Sequence, residues 1–446
     1  MQNLHRLLAG CALACAQVQA DELFVTTTLD RFDGVCDADC SLREAVAYAS
    51  AQPGTHRIKL APGTYSLSIA PARDEKGIVE ENASLNGDLD VSSDLTIVGA
   101  GIGRTLIDGN FLDRLFDVQP GGRLSLERLT LRKGETTGDG GALRNQGEAL
   151  LDAVNLEGNR VLGEAPAAGG AIANLGTLSL KNSTLHDNLA FSLTLGSGQG
   201  GALYNLGHLR IRDTTMEGNG SSDVADTGRG GALYNQGSAD IARSAFIGNL
   251  LGGYGDGAAI LNAEGGVLSL SNSTLSQNRP QYGRGAFANG QSGSPGNTFT
   301  QALLVNVSIV DNGNYGLANY ATLTVRNSLI AANRYLPDEG EPRPHNCLNQ
   351  SDRYQARGLL LGEDGGACNA DLRVDDALAF TQILGPLANN GGPTRTHALL
   401  ANSPALDRGV DNCTLHDQRG TPRMQDGNGD GVAGCDLGAF ERDATY

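Results

Sequence analysis

The chain has 446 residues, of which 62 are glycine, 5% are aromatic and none is tryptophan, and 50 acidic against 33 basic residues give a formal net charge of −17. That charge opposes nucleic acid and anionic lipid as partners and favours solubility and uptake of cations. No segment after the first twenty residues is apolar and long enough to span a bilayer as a helix.

Residues 1–20 read as an export leader. Arg6 precedes an apolar stretch, Leu7–Ala16, and Val18-Gln-Ala20 supplies the small residues wanted before cleavage, so the mature chain begins at Asp21. Leu8-Ala-Gly-Cys11 matches a lipoprotein box, but the apolar stretch before Cys11 is too short for that signal. The destination is therefore outside the cell or at its surface, with the periplasm as a further compartment. Removing Cys11 and Cys15 leaves six cysteines in three local pairs, Cys36/Cys40, Cys347/Cys368 and Cys413/Cys435. Several connectivities exist, of which neighbour pairing is the economical one.

Residues 21–57 form an N-terminal cap. Ser41 with Glu44 three residues on is a capping box, and Leu42, Ala45, Val46 and Ala49 give the following helix one apolar face. Such a helix, pinned by Cys36 and Cys40, closes an end that would otherwise offer open strand edges.

Residues 58–335 are repetitive. GGALRN (140–145), GGAIAN (169–174), GGALYN (200–205 and 230–235), GAAILN (257–262), GAFAN (285–289) and YGLAN (315–319) end in asparagines spaced 29, 31, 30, 27, 27 and 30 residues apart. A second motif keeps the same rhythm, from AVNLEGN (153–159) to NSLIAAN (327–333). Strand-like alternation such as Leu178-Ser-Leu180-Lys precedes most copies, and no helical periodicity intervenes. One repeat per coil of an all-β parallel β-helix satisfies this pattern. Leu143, Ile172, Leu203, Leu233 and Ile260 then stack in one inner column, and the terminal asparagines pass amide hydrogen bonds between coils. The residue before each asparagine points outward, which singles out Arg144, Tyr204 and Tyr234 as ligand-contacting candidates, the two tyrosines lying on adjacent coils and offering sugar-stacking faces.

Residues 336–446 are loop-rich and disulfide-bearing. Within them Asp426-Gly-Asn428-Gly-Asp430-Gly431 spaces oxygen ligands like the opening of a calcium loop, with Asp436 substituting for the missing glutamate at its end. The expectation is structural calcium held by Asp426, Asn428, Asp430 and Asp436.

Several motifs carry a family resemblance. Cys40-Ser-Leu-Arg-Glu-Ala45, Asn86-Gly-Asp-Leu-Asp-Val91, Leu95-Thr-Ile-Val-Gly-Ala-Gly101, Asn390-Gly-Gly-Pro-Thr394 and Cys435-Asp-Leu-Gly-Ala-Phe-Glu441 together resemble the CSLREA/choice-of-anchor Q proteins. That resemblance covers nearly the whole mature chain and implies a right-handed β-helix and a bacterial exported protein. The pairing of Gly230–Ala232 with Phe246–Asn249 is also similar to the repeats of polymorphic outer-membrane proteins, which are surface adhesins.

Catalytic residues are hard to find in the string. The closest acids on a common loop are Asp223 and Asp226, no Ser/His/Asp set is legible, and Lys59, Lys76, Lys133 and Lys181 stand in no recognisable context. An arginine base stays open. The function expected on this basis is adhesin-like or glycan-contacting binding without chemistry, to an extracellular glycan or host-cell surface component. The alternative is a polysaccharide lyase or glycoside hydrolase acting on the outer face, and a third is a rigid surface scaffold.

Overall fold

The computed structural model describes residues 21–443 except 76, 165, 294–298, 336, 338–340, 364–367 and 412. The leader and Cys11 lie outside the described residues, as does Lys76. The described chain winds as a right-handed parallel β-helix. One wall is a ten-stranded parallel sheet of three-residue strands, running from Leu89–Val91 through Leu143–Asn145, Leu203–Asn205 and Leu233–Asn235 to Cys347–Asn349. A second wall holds the longer strands, such as Glu148–Glu157, Val267–Ser276 and Thr322–Ala331. The strands of this second wall bend, or break in two, at a left-handed residue in successive coils: Arg128, Ala153, Asn182, Asp213, Arg243, Asn272, Asn306 and Asn327. Asparagine and aspartate tolerate that conformation best, which explains why the second motif so often opens with them.

The inner column forms in the expected register. Leu143 pairs with Ile172, Ile172 with Leu203, Leu203 with Leu233 and Leu233 with Ile260, and all five are fully buried. Each contributes about 1.5–3 kcal/mol on burial. The column extends beyond the recognisable repeats, down to Phe116 and Leu89 and up to Phe287 and Leu317.

Two asparagine ladders lock this register. In the first, the Nδ2 of Asn145, Asn174, Asn205, Asn235, Asn262, Asn289 and Asn319 each donates to Oδ1 of the next, ending on Asn349, at 2.7–2.9 Å. In the second, Asn159, Asn188, Asn219, Asn249, Asn278, Asn312 and Asn333 donate upward in the same way, ending on Asn346. The first was expected from the sequence, and the second is an addition by the structure.

The helix Leu42–Ala51 caps the lower end, with both halves of the Ser41/Glu44 capping box formed. Arg43, fully buried, pairs with Asp30 at 2.8 Å and donates to the carbonyls of Ser84, Gly87 and Asp88, tying the cap to the first coils. All three expected disulfides are present, Cys36–Cys40, Cys347–Cys368 and Cys413–Cys435. The coils continue past residue 335 through Tyr354–Gly362 and Leu372–Val374. From Asp376 onward the chain turns back and lies along the flank of the helix. There Ile383, Leu399, Leu406 and Phe440 pack on Val310, Leu329 and Leu360. Thr394 donates to the carbonyl of Arg243, and Gln418 accepts from Thr274. Inside this strap, Glu441 pairs with fully buried Arg423 at 2.8 Å and accepts from the backbone of Met424, Gln425 and Asp436. Among the described residues no helix is long and apolar enough to cross a membrane.

Asn205→Ala removes an amide that accepts from Asn174 and donates to Asn235, Gly207 and Ser238. It should cost about 3 kcal/mol in chemical denaturation. Asn349→Ala, at the ladder's end with one onward donation to Ser351, should cost about 1 kcal/mol, and equal losses would show that the ladder is not cooperative.

Candidate active site

The outward residues of the short-strand sheet lie one above another: Asp90, Asp117, Arg144, Ala173, Tyr204, Tyr234, Leu261, Ala288 and Ala318. A second column stands just before the turn that enters this sheet. Backbone bonds from Gly140, Gly169, Gly200, Gly230 and Gly257 to the carbonyls of Ala168, Gln199, Arg229, Asp256 and Arg284 stack Asp139, Ala168, Gln199, Arg229, Asp256 and Arg284. The turn needs glycine: Gly200 sits at φ +65, and a Cβ there would lie 2.2 Å from the carbonyl oxygen of Leu203. The charge of Asp139 reaches the phenol of Tyr204, and that of Arg229 reaches Tyr234. The two columns therefore border one shallow furrow running along the axis.

At the lower end of this furrow the ionisable groups converge. The segment after the hairpin Arg73–Asp74/Gly77–Ile78 brings Glu80 over the first coils. Arg114, fully buried, donates to both oxygens of Glu80 at 2.7 and 2.9 Å and to Asp88 at 3.1 Å. Arg144 forks onto Asp117, with Nε to Oδ1 at 3.0 Å, and its Nη2 lies 3.6 Å from Glu80. Gln119 bridges Asp117 at 2.8 Å and Asp90 at 3.3 Å. One carboxylate oxygen from each of Glu80, Asp88 and Asp117 lies within 4.8 Å of the others.

These groups are tuned apart. Burial lifts Asp90 to about 7 and Asp113 to about 6, and lifts Asp88 well above the usual carboxylate range. Asp139 is also raised by burial, against the pull of Arg114 and Arg144. Glu80 goes the other way: burial would raise it, but the Arg114 ion pair outweighs that and holds it low. For Arg144, burial acts to lower the pKa and the Asp117 bond overrides it, so the guanidinium is locked in its charged form.

Of the residues singled out from sequence, Arg144 falls inside this cluster. Tyr204 and Tyr234 stack as expected, with centroids 5.2 Å apart, two and three coils above Arg144. They do not form an open sugar platform. Tyr234 is 6% exposed and packs in an apolar strip with Leu261, Ala288, Ala318 and Tyr320, while Tyr204 is half-buried and its phenol is pushed up to about 12, mainly by burial. The expected calcium residues are turned on their own backbone. Asp426 accepts from Gly429, Asp430 and Gly431, Asn428 from Asp430, and Asp430 from Val432. Asp436 is fully buried and accepts from Asp407 and Arg442, so it does not complete that loop. Among the described residues the acidic grouping that fits a cation is Glu80, Asp88 and Asp117 instead. Asp223 is likewise structural, accepting from Ser197, Ala225 and Thr227.

Asp90, Asp113, Asp117, Asp139, Glu80 and Arg114 were missed in the sequence. A signal existed for two of them. Leu89-Asp90-Val91 and Phe116-Asp117-Val118 are degenerate copies of the short strand without the closing asparagine, and continuing the repeat backward by two coils stacks Asp90 and Asp117 under Arg144. A wider groove, of about 710 Å³, runs over the long-strand wall past Thr177, His208, Ser238, Leu268 and Thr322. Asp240 is the carboxylate among its lining residues, 3.7 Å from Arg210, and His208 is bonded to the Ser238 hydroxyl.

No family model matches the chain, and no curated protein matches it. Among solved structures the chain is similar to the crystal structure of pectate lyase Pel9A, at 15% identity, covering 96% of this chain and 98% of that one with a TM-score of 0.48. It is similar to a PL6 alginate lyase in complex with a trisaccharide, at 9% identity over 85% and 91% of the two chains, TM-score 0.36. It is similar also to the A-module of the Azotobacter vinelandii mannuronan C-5 epimerase AlgE6, at 12% identity over 75% and 94%, TM-score 0.28. These likenesses concern the winding of the chain. The expectation of a binding face without chemistry is corrected by the molecule itself: acids of opposite tuning and two arginines converge across successive coils of the outer face, where the binding reading required only aromatic and polar contacts.

Asp90→Asn tests this tuning. A carboxyl raised to about 7 in the folded state gives stability that is present at acid pH and lost as pH rises toward 7. Between pH 5 and pH 8 the variant should therefore gain about 2 kcal/mol relative to the parent chain. Thermal denaturation at the two pH values measures it, and a difference independent of pH would refute the assignment.

Proposed function

We propose that the chain is an exported polysaccharide-cleaving enzyme whose site is the lower end of the furrow. The carrying observation is the convergence of Glu80, Asp88 and Asp117 within 4.8 Å of one another around Arg114 and Arg144, beside which Arg114 holds Glu80 below its usual range and burial raises Asp139. Such a split is what general acid–base cleavage of a glycosidic bond needs. In this reading Asp139 is the group that gives a proton to the departing glycosidic oxygen, and Glu80, at the exposed lip, takes one from the attacking water once the Arg114 fork that holds both its oxygens loosens. Arg144 stays charged throughout, which makes it a clamp for an anionic or hydroxyl-bearing ring and unsuits it as a base. The two columns run along the axis from the cluster up to the tyrosines, beyond which the apolar strip with Tyr320 covers the short-strand face. The disulfides agree with an oxidising compartment, and the export leader and CSLREA-like motifs support the same address.

One observation favours elimination as a second reading. The oxygens of Glu80, Asp88 and Asp117 are hard donors close enough for a divalent cation such as calcium. Both guanidiniums already contact that trio, so an ion would enter by loosening the Arg114 and Arg144 pairs. When bound, it would supply charge neutralisation for the carboxylate of an acidic sugar.

Incubation with a panel of neutral and uronate polysaccharides should release reducing ends. Asp139→Asn should lower kcat by about 100-fold or more with Tm unchanged, and Glu80→Gln should do the same with a modest loss of Tm from the Arg114 pair. Saturated products insensitive to chelators mark hydrolysis, whereas unsaturated, chelator-sensitive products mark elimination. Release of neither kind across the panel, or full activity in both variants, rejects the enzyme reading.

A further inference from the structure

We infer that the rim above the cluster carries a separate subsite for a sugar bearing an anionic group, formed by Arg229, Tyr254 and Tyr282. This rests on the reading of the furrow as a polysaccharide path. The segments Thr227-Gly-Arg229, Tyr254-Gly-Asp256 and Tyr282-Gly-Arg284 stack on adjacent coils, with Thr227 paired to Tyr254, Arg229 to Asp256 and Asp256 to Arg284. The middle glycines face inward against backbone: a Cβ on Gly255 would lie 1.9 Å from the carbonyl oxygen of Gly228, and one on Gly283 would lie 2.5 Å from that of Gly255. The flanking residues of each segment therefore point to the same outer side.

On that side the protein leaves two large rings in water. Tyr254 is 68% and Tyr282 44% exposed, with centroids 5.4 Å apart and planes inclined by 30°. Exposed tyrosines one coil apart offer apolar faces with polar edges to successive sugar rings. Beside them, half-buried Arg229 makes no ion pair and no side-chain hydrogen bond among the described residues. Its partner across the strand, Asp256, is 7% exposed and accepts from Ser292, and Arg284 above donates to the Ser292 hydroxyl at 2.7 Å. A half-buried guanidinium whose charge reaches Asp256 and Tyr234 but whose N–H groups make no hydrogen bond among the described residues suits a planar carboxylate or a sulfate ester. Arg229 stands in the same column as Asp139, three coils higher, about 14 Å along the axis, so one extended glycan can touch both.

The test is calorimetric titration of the full chain with three oligosaccharides of equal length: an oligogalacturonate, a sulfated galactan oligomer and a neutral cello-oligomer. At least one charged oligomer should bind. Arg229→Gln should weaken it about tenfold and leave the neutral oligomer unchanged. Tyr254→Ala and Tyr282→Ala should weaken charged and neutral oligomers alike. Which charged oligomer responds separates carboxylate from sulfate. Absence of binding by both charged oligomers, or an Arg229→Gln effect equal for charged and neutral ligands, or wild-type affinity in both tyrosine variants, would overturn the subsite. Binding without turnover in the parent would reject the enzyme reading and leave the subsite standing. Turnover with unaltered affinity in the rim variants would do the reverse.

Discussion

The structure depends on one repeated constraint: each coil must lie flat on the last without slipping. Hydrophobic columns reward that register but do not define it sharply, because Leu, Ile and Phe interchange along them. The asparagine ladders are sharper. An amide that misses its neighbour by one residue leaves a buried donor and a buried acceptor unmet, so registry is nearly all-or-none. The left-handed glycines and asparagines at the corners then fix where the chain turns. Everything chemical follows from this, because a fixed register converts residues some thirty apart in sequence into vertical neighbours.

This explains what the sequence could and could not disclose. The inner column from Leu143 to Ile260, the first ladder, the Ser41/Glu44 cap and the three disulfides were legible because each follows from spacing or local pattern. The acid–arginine cluster was not, for two reasons. Asp90 and Asp117 sit on coils whose strands end in valine, so the repeat fades where its chemistry begins. Glu80, Asp113 and Arg114 come from turns outside the repeat, and no periodicity announces a loop that folds over a wall. The tyrosines show the opposite error. Their column was right and their exposure was not, because alternation along a strand gives direction but says nothing of what packs on top: Tyr320 and its apolar neighbours close over that face.

The cluster is also a balance of opposing costs. Burying Asp88, Asp90 and Asp117 penalises their charge, and two arginines recover part of it through forked, charge-assisted bonds. The compensation is uneven, and the unevenness is what separates Glu80 from Asp139. The C-terminal strap shows the purely structural version of the same device. Arg423 and Glu441 are both almost wholly buried, every strong neighbour is a backbone group or a fixed side chain, and nothing opens to solvent. Similar residue types therefore serve anchoring in one place and form the proposed site in the other, and access to water makes the difference.

The ladders have a polarity whose consequence reaches beyond stability. Every amide-to-amide bond runs toward the C-terminal end, and at the lower terminus of the first ladder the Oδ1 of Asn145 has no partner among the described residues. Each rung is thus interchangeable with the next. Excising the stretch from 175 to 205 would rejoin Asn174 to Asn235 with the same bond, whereas losing half of it would swing all later columns to a different wall. Length in this architecture is quantised: the molecule can shorten or grow by whole coils, and with it the distance between the cluster and the rim would change in steps of one coil rise.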